Sequence, residues 1–242
     1  MFFRLKLFLQ KYTILRLYNL ILTEIQYYLK SSYLYNFPTI ITIEPGNICN
    51  LRCPLCPTGQ KDDSANHGFI QFSDFKKIVD EIGKYLQMIR LYNWGEPILN
   101  RNLIKMVNYA VSNGIEVKIS TNLSMSLSNQ EAEAIIRANL RKIYISANGA
   151  SNESYSKYHV GGDFNRVMSN MKMLIETKKM MNNQYTELIW LFHVFSHNEH
   201  EIDKAKKAAK EMGIKLSINT MRTDMGKEIF ESHIGISHNR WA

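Results

Sequence analysis

All three cysteines of this 242-residue chain lie in one short segment, as Cys49, Cys53 and Cys56 with C-x3-C-x2-C spacing. Cysteine thiolates bind iron–sulfur clusters, and an ordinary [4Fe–4S] cluster has four of them. Three thiolates would leave one iron without a protein ligand. An open coordination position distinguishes a catalytic metal site from a closed structural one. The spacing therefore favours a cluster that can bind a further ligand.

Two other interpretations of the cysteines stay open at the level of spacing. The thiols could bind zinc with His67 as a fourth ligand, or they could be three separate reactive thiols. Zinc sites typically combine two C-x2-C-like pairs of cysteines, whereas this chain has one such pair and one outlying cysteine. The odd cysteine number and the lack of a convincing signal peptide lead us to expect reduced thiols in a cytoplasmic protein.

A second segment, residues 93–97 (Asn-Trp-Gly-Glu-Pro), has the composition of a turn that could hold a ligand. Glycine permits close approach to the backbone. Exposed N–H and C=O groups in such a turn could bind a zwitterionic amino acid. Glycine and proline are also frequent in ordinary loops. The presence of the cysteines in the same chain makes ligand binding the better interpretation.

Both segments follow predicted β-strands in an alternation of strands and helices. Short β-branched runs predict strands, and apolar residues at helical spacing predict helices. The predicted strands cover residues 39–43, 88–92, 115–120, 142–146, 187–195 and 214–219. This alternation implies parallel pairing with right-handed crossovers, and both a doubly wound sheet and a barrel are compatible with it. No GxGxxG follows the first strand, which disfavours dinucleotide binding.

Side chains that commonly cap helices mark the predicted helix starts. These candidates are Ser73, Asn100, Ser128, Asp163 and Asn198. A glutamate three residues later gives Ser128 and Asn198 the spacing of a capping box. Gly114 and Gly213 are expected to end helices, because glycine readily adopts the left-handed conformation at a helix C-terminus.

The segment from about Pro38 to Asn219 resembles the radical S-adenosylmethionine (SAM) superfamily. Four motifs carry the resemblance: residues 49–57 (CNLRCPLCP), 94–97 (WGEP), 120–122 (STN) and 146–150 (SANGA). They are similar, in this order, to the family's cluster loop, Gly-Gly-Glu-Pro motif, ribose-contact strand end and Ser-x-Asp-Gly segment. Residues 155–162 also resemble a stretch found in members with a C-terminal, cysteine-rich SPASM region.

The resemblance implies an α/β fold, a partial (β/α)6 TIM-like barrel, with SAM bound to the open iron of a [4Fe–4S] cluster. It implies that one electron cleaves SAM to methionine and a 5′-deoxyadenosyl radical, which abstracts hydrogen from a substrate. A small donor such as flavodoxin or ferredoxin is expected to supply the electron. By resemblance, the metal ligands are Cys49, Cys53 and Cys56. The residues expected to contact SAM are Leu55, Trp94, Gly95, Glu96, Pro97, Ser120, Asn122, Ser146, His159 and Val194.

The four motifs all follow predicted strand ends, and the carboxyl ends of parallel barrel strands gather on one face. Some of these residues also have simpler interpretations, since Val194 could be a core residue and Ser120 a strand-end hydroxyl. No side chain stands out as a catalytic acid or base. Tyr92, Glu187 and His193 could each be core or rim residues.

Three features depart from the family pattern. His159 lies where related sequences often have an arginine that pairs with the SAM carboxylate, so we expect SAM binding that strengthens as the pH falls. Asn148 replaces the usual aspartate. No cysteine follows Cys56, so the SPASM region is expected to be absent, and the chain could be a fragment, a truncated product or a core that borrows a partner. The SPASM-type resemblance suggests a peptide substrate.

The net charge of +8 is concentrated near the N-terminus. Residues 1–36 contain five basic residues and one acidic residue, and the rest of the chain is nearly balanced, so nucleic-acid binding is not expected. Leu5, Phe8, Leu9 and Tyr12 follow helical spacing, while charged residues interrupt any membrane span. Residues 1–30 are predicted to form an amphipathic helix that packs on the main domain or makes peripheral contact with an anionic membrane surface, such as the inner membrane.

We divide the chain into a basic helical extension (1–36), a radical SAM core (37–220) and a C-terminal tail (221–242) that could begin a missing region. The leading hypothesis is an enzyme that cleaves SAM reductively and abstracts hydrogen from an unknown substrate. The alternative is a non-catalytic, degenerate or truncated protein that binds a cluster or zinc and acts through a partner or a membrane surface.

Overall fold

The computed structural model describes residues 13–60 and 66–220. The helical pattern of Leu5 to Tyr12 and the C-terminal tail lie outside the described residues. The strands that it contains are β1 (Ile40–Thr42), β2 (Met88–Arg90), β3 (Glu116–Thr121), β4 (Lys142–Ser146), β5 (Glu187–Val194) and β6 (Lys215–Thr220). Each predicted strand is present, with ends that differ from the expected ones by at most two residues.

The six strands form one parallel sheet in the order β1-β2-β3-β4-β5-β6. A doubly wound sheet would reverse its strand order at a switch point, and this order contains no reversal. Right-handed crossovers between successive neighbours place the connecting helices on one face of the sheet. Because β1 and β6 do not pair, the sheet is an unclosed, partial TIM-like barrel. The predicted fold class is therefore confirmed.

The described helices are α1 (Ile14–Tyr28), α2 (Phe72–Ile82), α3 (Leu103–Ser112), α4 (Asn129–Arg137), α5 (Asn152–Tyr158), α6 (Phe164–Met180) and α7 (Ile202–Met212). The capping box at Ser128 is confirmed, as is the Asp163 cap, whose side chain accepts the Arg166 N–H. Gly213 ends α7 in the left-handed conformation, at φ 66°. The Ser73 cap is wrong, because α2 begins one residue earlier and Gln71 precedes it.

The two faces of the sheet differ in chemistry. Alternate residues such as Val117, Ile119 and Ile143 are fully buried in the core that the helices cover. Their neighbours on the other face, among them Lys118 and Lys142, are only half-buried. This alternation follows from the two-residue period of a strand. One face holds the fold together, and the other forms the polar interior of the open barrel.

Candidate functional site

The cysteine loop, residues 49–56, follows β1 and is fixed by backbone contacts. The Arg52 N–H donates to the Val160 carbonyl (2.9 Å), and the Cys56 N–H donates to the Cys53 carbonyl (3.1 Å). A Cβ atom on Gly59 would lie 2.5 Å from both the amide nitrogen and the carbonyl oxygen of Cys53, so a side chain does not fit there. All three cysteines are free thiols of intermediate burial. One short segment thus holds three unpaired sulfurs.

Burial disfavours the thiolate form of these cysteines in the absence of a cation. It raises the pKa of Cys49 to about 11 and the pKa of Cys53 to about 12, and the charges of neighbouring thiolates add to both shifts. Burial also raises the pKa of Cys56. Reactive cysteines need a lowered pKa, so the interpretation as three reactive thiols is disfavoured. A coordinated metal deprotonates its thiols, and these buried donors therefore fit a metal centre.

The geometry also separates a cluster from a single zinc ion. Within residues 13–60 and 66–220, no three His, Cys, Asp or Glu side chains are arranged to hold one metal ion. His67, the proposed fourth zinc ligand, is exposed, and its Nδ1 lies 3.4 Å from the Asn47 carbonyl. In a [4Fe–4S] cluster each cysteine binds a different iron, so the sulfurs need not converge on one point. The three thiols fit a cluster better than zinc.

The turn at residues 94–97 is tied to the chain just before the cysteine loop. The Trp94 and Gly95 N–H groups donate to Glu44 Oε1 at 2.7 and 2.9 Å, and the Glu96 N–H donates to the Ile48 carbonyl at 2.9 Å. A Cβ atom on Gly95 would lie 1.7 Å from the Gly46 carbonyl oxygen. Only glycine permits this approach. The role of Glu44 was not predicted, because nothing in the local sequence indicates a partner fifty residues away.

Glu96 is a buried carboxylate that joins this turn to the end of β3. Its side chain accepts the Asn122 N–H at 2.7 Å and the Ile98 N–H at 3.1 Å. Burial raises the pKa of Glu96 to about 7, although both hydrogen bonds favour the charged form. Pro97 is buried beside it, whereas Trp94 is exposed. The Glu96 side chain therefore fixes the backbone of the turn and of the β3 end relative to each other.

Asn122 connects the β3 end to the cysteine loop. Its Nδ2 donates to Cys49 Sγ at 3.6 Å and to Asn50 Oδ1 at 3.0 Å, and its Oδ1 accepts the Ser124 N–H at 2.8 Å. The Cys56 thiol in turn donates to the Trp94 carbonyl at 3.7 Å. Three of the segments singled out in the sequence are thus in contact.

His159 has a different environment from the one expected. Its Nε2 accepts the Asn148 N–H (3.3 Å), so the proton lies on Nδ1, which is 3.6 Å from Cys53 Sγ. The ring stacks on Tyr155 at 4.5 Å between centroids. Burial lowers the pKa of His159 to about 3, so the ring is neutral. The structure does not support SAM binding that strengthens with protonation of this residue. A contact with the SAM carboxylate stays a prediction, although both ring nitrogens already have partners.

A polar network that sequence reasoning missed joins the ends of β4 and β5. Asn148 Oδ1 accepts the His193 N–H at 2.8 Å, and Asn198 Nδ2 donates to the carbonyls of Asn148 and His193 at 3.2 and 3.0 Å. The capping box predicted at Asn198 is wrong, because Asn198 Oδ1 accepts the Phe195 N–H at 2.8 Å. Glu201 instead accepts the Ala150 N–H at 2.6 Å. Both side chains hold loops together.

The remaining predicted site residues lie in two settings. Leu55 is buried in a small apolar cluster with Tyr158 and Phe195, against which Cys53 packs. The Val194 side chain is a core residue, as its simpler interpretation held. Ser120 and Ser146 are half-buried on the open face of β3 and β4. The roles of these residues in SAM binding stay predictions.

Residues 43–183 match the model of the radical SAM superfamily, and this chain therefore belongs to that superfamily. Members use a [4Fe–4S] cluster and SAM as cofactors. The homologues in this superfamily are enzymes, and the unclosed six-stranded parallel sheet described above agrees with its partial TIM-like barrel.

Curated relatives match at low identity. The chain is 24% identical to the mycofactocin maturase MftC of Mycolicibacterium smegmatis, over 76% of this chain and 45% of the relative. It is 24% identical to the AdoMet-dependent heme synthase of Oleidesulfovibrio alaskensis, over 56% of this chain and 34% of the relative. The chain thus spans less than half the length of these relatives.

Among solved structures, Streptococcus suis SuiB bound to S-adenosylmethionine superposes with a TM-score of 0.67 at 14% identity, over 82% of this chain and 44% of SuiB. SuiB bound to its precursor peptide SuiA gives a TM-score of 0.66. At this identity the likeness shows the fold alone. No helix in the described part of the chain has the length and hydropathy needed to cross a bilayer.

Proposed function

We propose that this chain is the catalytic core of a radical SAM enzyme that abstracts hydrogen from a peptide substrate. The proposed ligands of its [4Fe–4S] cluster are Cys49, Cys53 and Cys56. The observation that carries the proposal is the set of contacts through Asn122, which joins Cys49 to the β3 end whose backbone Glu96 holds. Cluster loop and proposed SAM turn are therefore one connected unit.

The cluster, when bound, supplies the electron that splits the sulfonium of SAM into methionine and a 5′-deoxyadenosyl radical. The chain's own residues bind and orient. The turn around Gly95 is proposed to hold the SAM amino group through backbone atoms, because its approach to Gly46 leaves no room for a side chain. Ser120, Ser146 and Asn122 are proposed to contact the ribose or carboxylate, and the Val194 backbone to flank adenine.

A small apolar cluster beside Cys53 is proposed to exclude water from the site. Leu55, Tyr158 and Phe195 are buried together beside Cys53, with the Tyr158 and Phe195 rings stacked at 4.5 Å between centroids. An apolar wall at this position keeps solvent from one side of the sulfur ligands. Low solvent access protects a reactive radical and tunes the cluster.

A peptide substrate is supported by the relative SuiB, which is described bound to a precursor peptide. The electron is proposed to come from a small donor protein such as flavodoxin or ferredoxin. The substrate is proposed to reach the half-buried polar face of the sheet, where Tyr144, Ser146 and His193 lie. This face is the interior of the open barrel.

Anaerobic reconstitution tests the proposal. After incubation with iron and sulfide we expect about four irons per chain. Addition of dithionite and SAM should release 5′-deoxyadenosine, measured by mass spectrometry, and the Cys53→Ser variant should release none. One equivalent of zinc with no release of 5′-deoxyadenosine would contradict the proposal and favour the non-catalytic binding protein.

A further inference from the structure

Helix α1 is oriented opposite to an ordinary surface helix. Its buried side chains are polar, namely Arg16, Asn19 and Gln26. Most of its large apolar side chains are exposed, and Leu20 and Leu22 are half-buried. A helix of a globular protein normally turns its apolar stripe toward the core. The reversal calls for a reason that lies outside the barrel.

Specific hydrogen bonds fix this orientation. The Arg16 guanidinium donates to the carbonyls of Gly83 (2.9 Å), Asn113 (2.8 Å) and Gly114 (2.9 Å), which end α2 and α3. The Asn19 side chain pairs with both backbone groups of Phe37, at 2.8 and 3.0 Å. Carbonyls at helix ends need such donors. The buried face of α1 is therefore built for this position, and its opposite face must point away from the barrel.

The outward face carries a continuous apolar stripe. Steps of four and three residues align side chains on one side of a helix. At these steps α1 has side chains that are 88, 62, 58, 49 and 84% exposed, which are Ile14, Tyr18, Ile21, Ile25 and Tyr28. The stripe contains no charged residue. Isolated exposed apolar residues are normal, but a contiguous apolar surface indicates an interaction site.

Its surroundings distinguish a lipid surface from a protein partner. The exposed side chains beyond the stripe include Tyr27, Tyr33 and Tyr35, and tyrosine is enriched at membrane–water interfaces. In the sequence, basic residues precede the stripe (Arg4, Lys6 and Lys11) and follow it (Lys30), and Glu24 is the sole acidic residue of residues 1–36. A basic segment that carries an apolar helix face is typical of helices that lie on anionic bilayers.

We propose that the stripe of α1 binds the surface of an anionic lipid bilayer and holds the chain there without spanning it. The carbonyls that anchor α1 belong to Gly83, Asn113 and Gly114, which precede β2 and β3. The helix thus lies at the amino ends of the strands, whereas the cysteine loop lies at the carboxyl ends. The cluster site is therefore at the end of the barrel opposite to the anchor.

Flotation of the full chain with vesicles tests the proposal. We expect binding to vesicles that contain phosphatidylglycerol, weaker binding to phosphatidylcholine alone, and a decrease with added salt. The double variant Ile21→Asp/Ile25→Asp should reduce binding by at least about tenfold, because two apolar side chains leave the bilayer. The uncharged pair Ile21→Asn/Ile25→Asn should reduce it as well, which separates apolar burial from charge repulsion.

The Met180→Asp variant is the matched control, since Met180 is 76% exposed on α6 and belongs to no stripe. It should bind vesicles as the unchanged chain does. The proposal would be overturned if the double variants bound anionic vesicles as well as the unchanged chain does, or if the unchanged chain did not bind them. Light scattering that shows a dimer lost in the double variants, without vesicle binding, would assign the stripe to a second copy of the chain.

Discussion

At both ends of the sheet, charged side chains provide hydrogen-bond partners for backbone groups, and the charges at the two ends are opposite. At the carboxyl end, the carboxylates of Glu44 and Glu96 together accept four backbone N–H groups from the loops around the cysteines. At the amino end, the Arg16 guanidinium donates to three backbone carbonyls where α2 and α3 finish. At the amino end the buried Arg16, and at the carboxyl end the half-buried Glu44 with the buried Glu96, provide partners for backbone groups of other segments.

The difference lies in what the fixed segments do. Helix ends leave carbonyls without partners, so Arg16 completes the architecture and fixes α1. The carboxylates hold a turn whose remaining backbone groups are proposed to face SAM. Changes at the amino end should therefore reduce the free energy of unfolding with little effect on SAM, and changes at the carboxyl end should affect SAM or the cluster first.

The Arg16→Met variant gives the largest expected effect on stability. It leaves three carbonyls without their charged donor, two of them in buried contacts, and hydrogen bonds to charged groups contribute about 1.5–3 kcal/mol each. We expect the free energy of unfolding to fall by about 4 kcal/mol, measured by urea denaturation under anaerobic conditions. Arg101→Met, at an exposed position, is the control and should change it by less than about 0.5 kcal/mol. A small decrease in the free energy of unfolding of Arg16→Met would show that Arg16 does not stabilise the architecture.

The Gly95→Ala variant should act at the other end. Its Cβ would lie 1.7 Å from the Gly46 carbonyl oxygen, so the turn must move away from residues 46–47, which precede the cysteine loop. Such overpacking costs about 3 kcal/mol, and we expect SAM binding to weaken by at least about 100-fold in equilibrium titration of the reconstituted protein. The control is Gly68→Ala, because a Cβ on Gly68 meets nothing within 4 Å. Unchanged SAM affinity in Gly95→Ala would show that the turn does not contribute to SAM binding.

Much of the fold could be predicted because it depends on periodicity. The strand at Lys142–Ser146 was predicted with both ends correct, and the Ser128 capping box was confirmed, since both signals lie within a few residues of sequence. The sequential strand order was not predictable from alternation alone. The helix Asn152–Tyr158 was missed, because its seven residues are too short for a periodic signal.

The candidate site was predictable only in part. The cysteines and the turn at Gly95 have local signatures, whereas Glu44 and Asn198 act on loops distant in sequence, and one chain shows no such pairing. His159 was expected to gain charge as the pH falls, and its contact with Cys53 was not predicted. The charge of a histidine depends on burial, which local sequence does not show.

The Glu96→Gln variant tests whether the stability contribution at the carboxyl end depends on pH. The pKa of Glu96 is raised by burial from 4.5 to about 7, so between these values the folded chain keeps a proton that the unfolded chain releases. The stability contribution of Glu96 is therefore present at low pH and is lost as the pH rises through about 7. Measured by urea denaturation from about pH 5.5 to about pH 8, the stability of the unchanged chain relative to Glu96→Gln should fall by about 2 kcal/mol.

Arg16 serves as the internal reference for that measurement. A guanidinium stays charged throughout this range, so the stability difference between the unchanged chain and Arg16→Met should not vary with pH. A constant difference for Glu96→Gln as well would mean that Glu96 is ionised at every pH tested, contrary to the expected effect of its burial.

The smallest expected effect concerns His159, a neutral side chain at the carboxyl end whose Nδ1 lies 3.6 Å from Cys53 Sγ. A hydrogen bond to a ligating sulfur stabilises the more negative, reduced cluster and raises its potential. His159→Phe keeps an aromatic ring against Tyr155 but removes the N–H. A loss of about 1 kcal/mol corresponds to about 40 mV for a one-electron couple, so the midpoint potential in an EPR titration should fall by about this amount.

His159→Gln, which keeps an N–H donor, should restore part of the shift, and Tyr155→Phe should leave the potential unchanged. A potential in His159→Phe equal to that of the unchanged chain would limit His159 to holding the Asn148 backbone, and the carboxyl end would then rely on its carboxylates and amides alone.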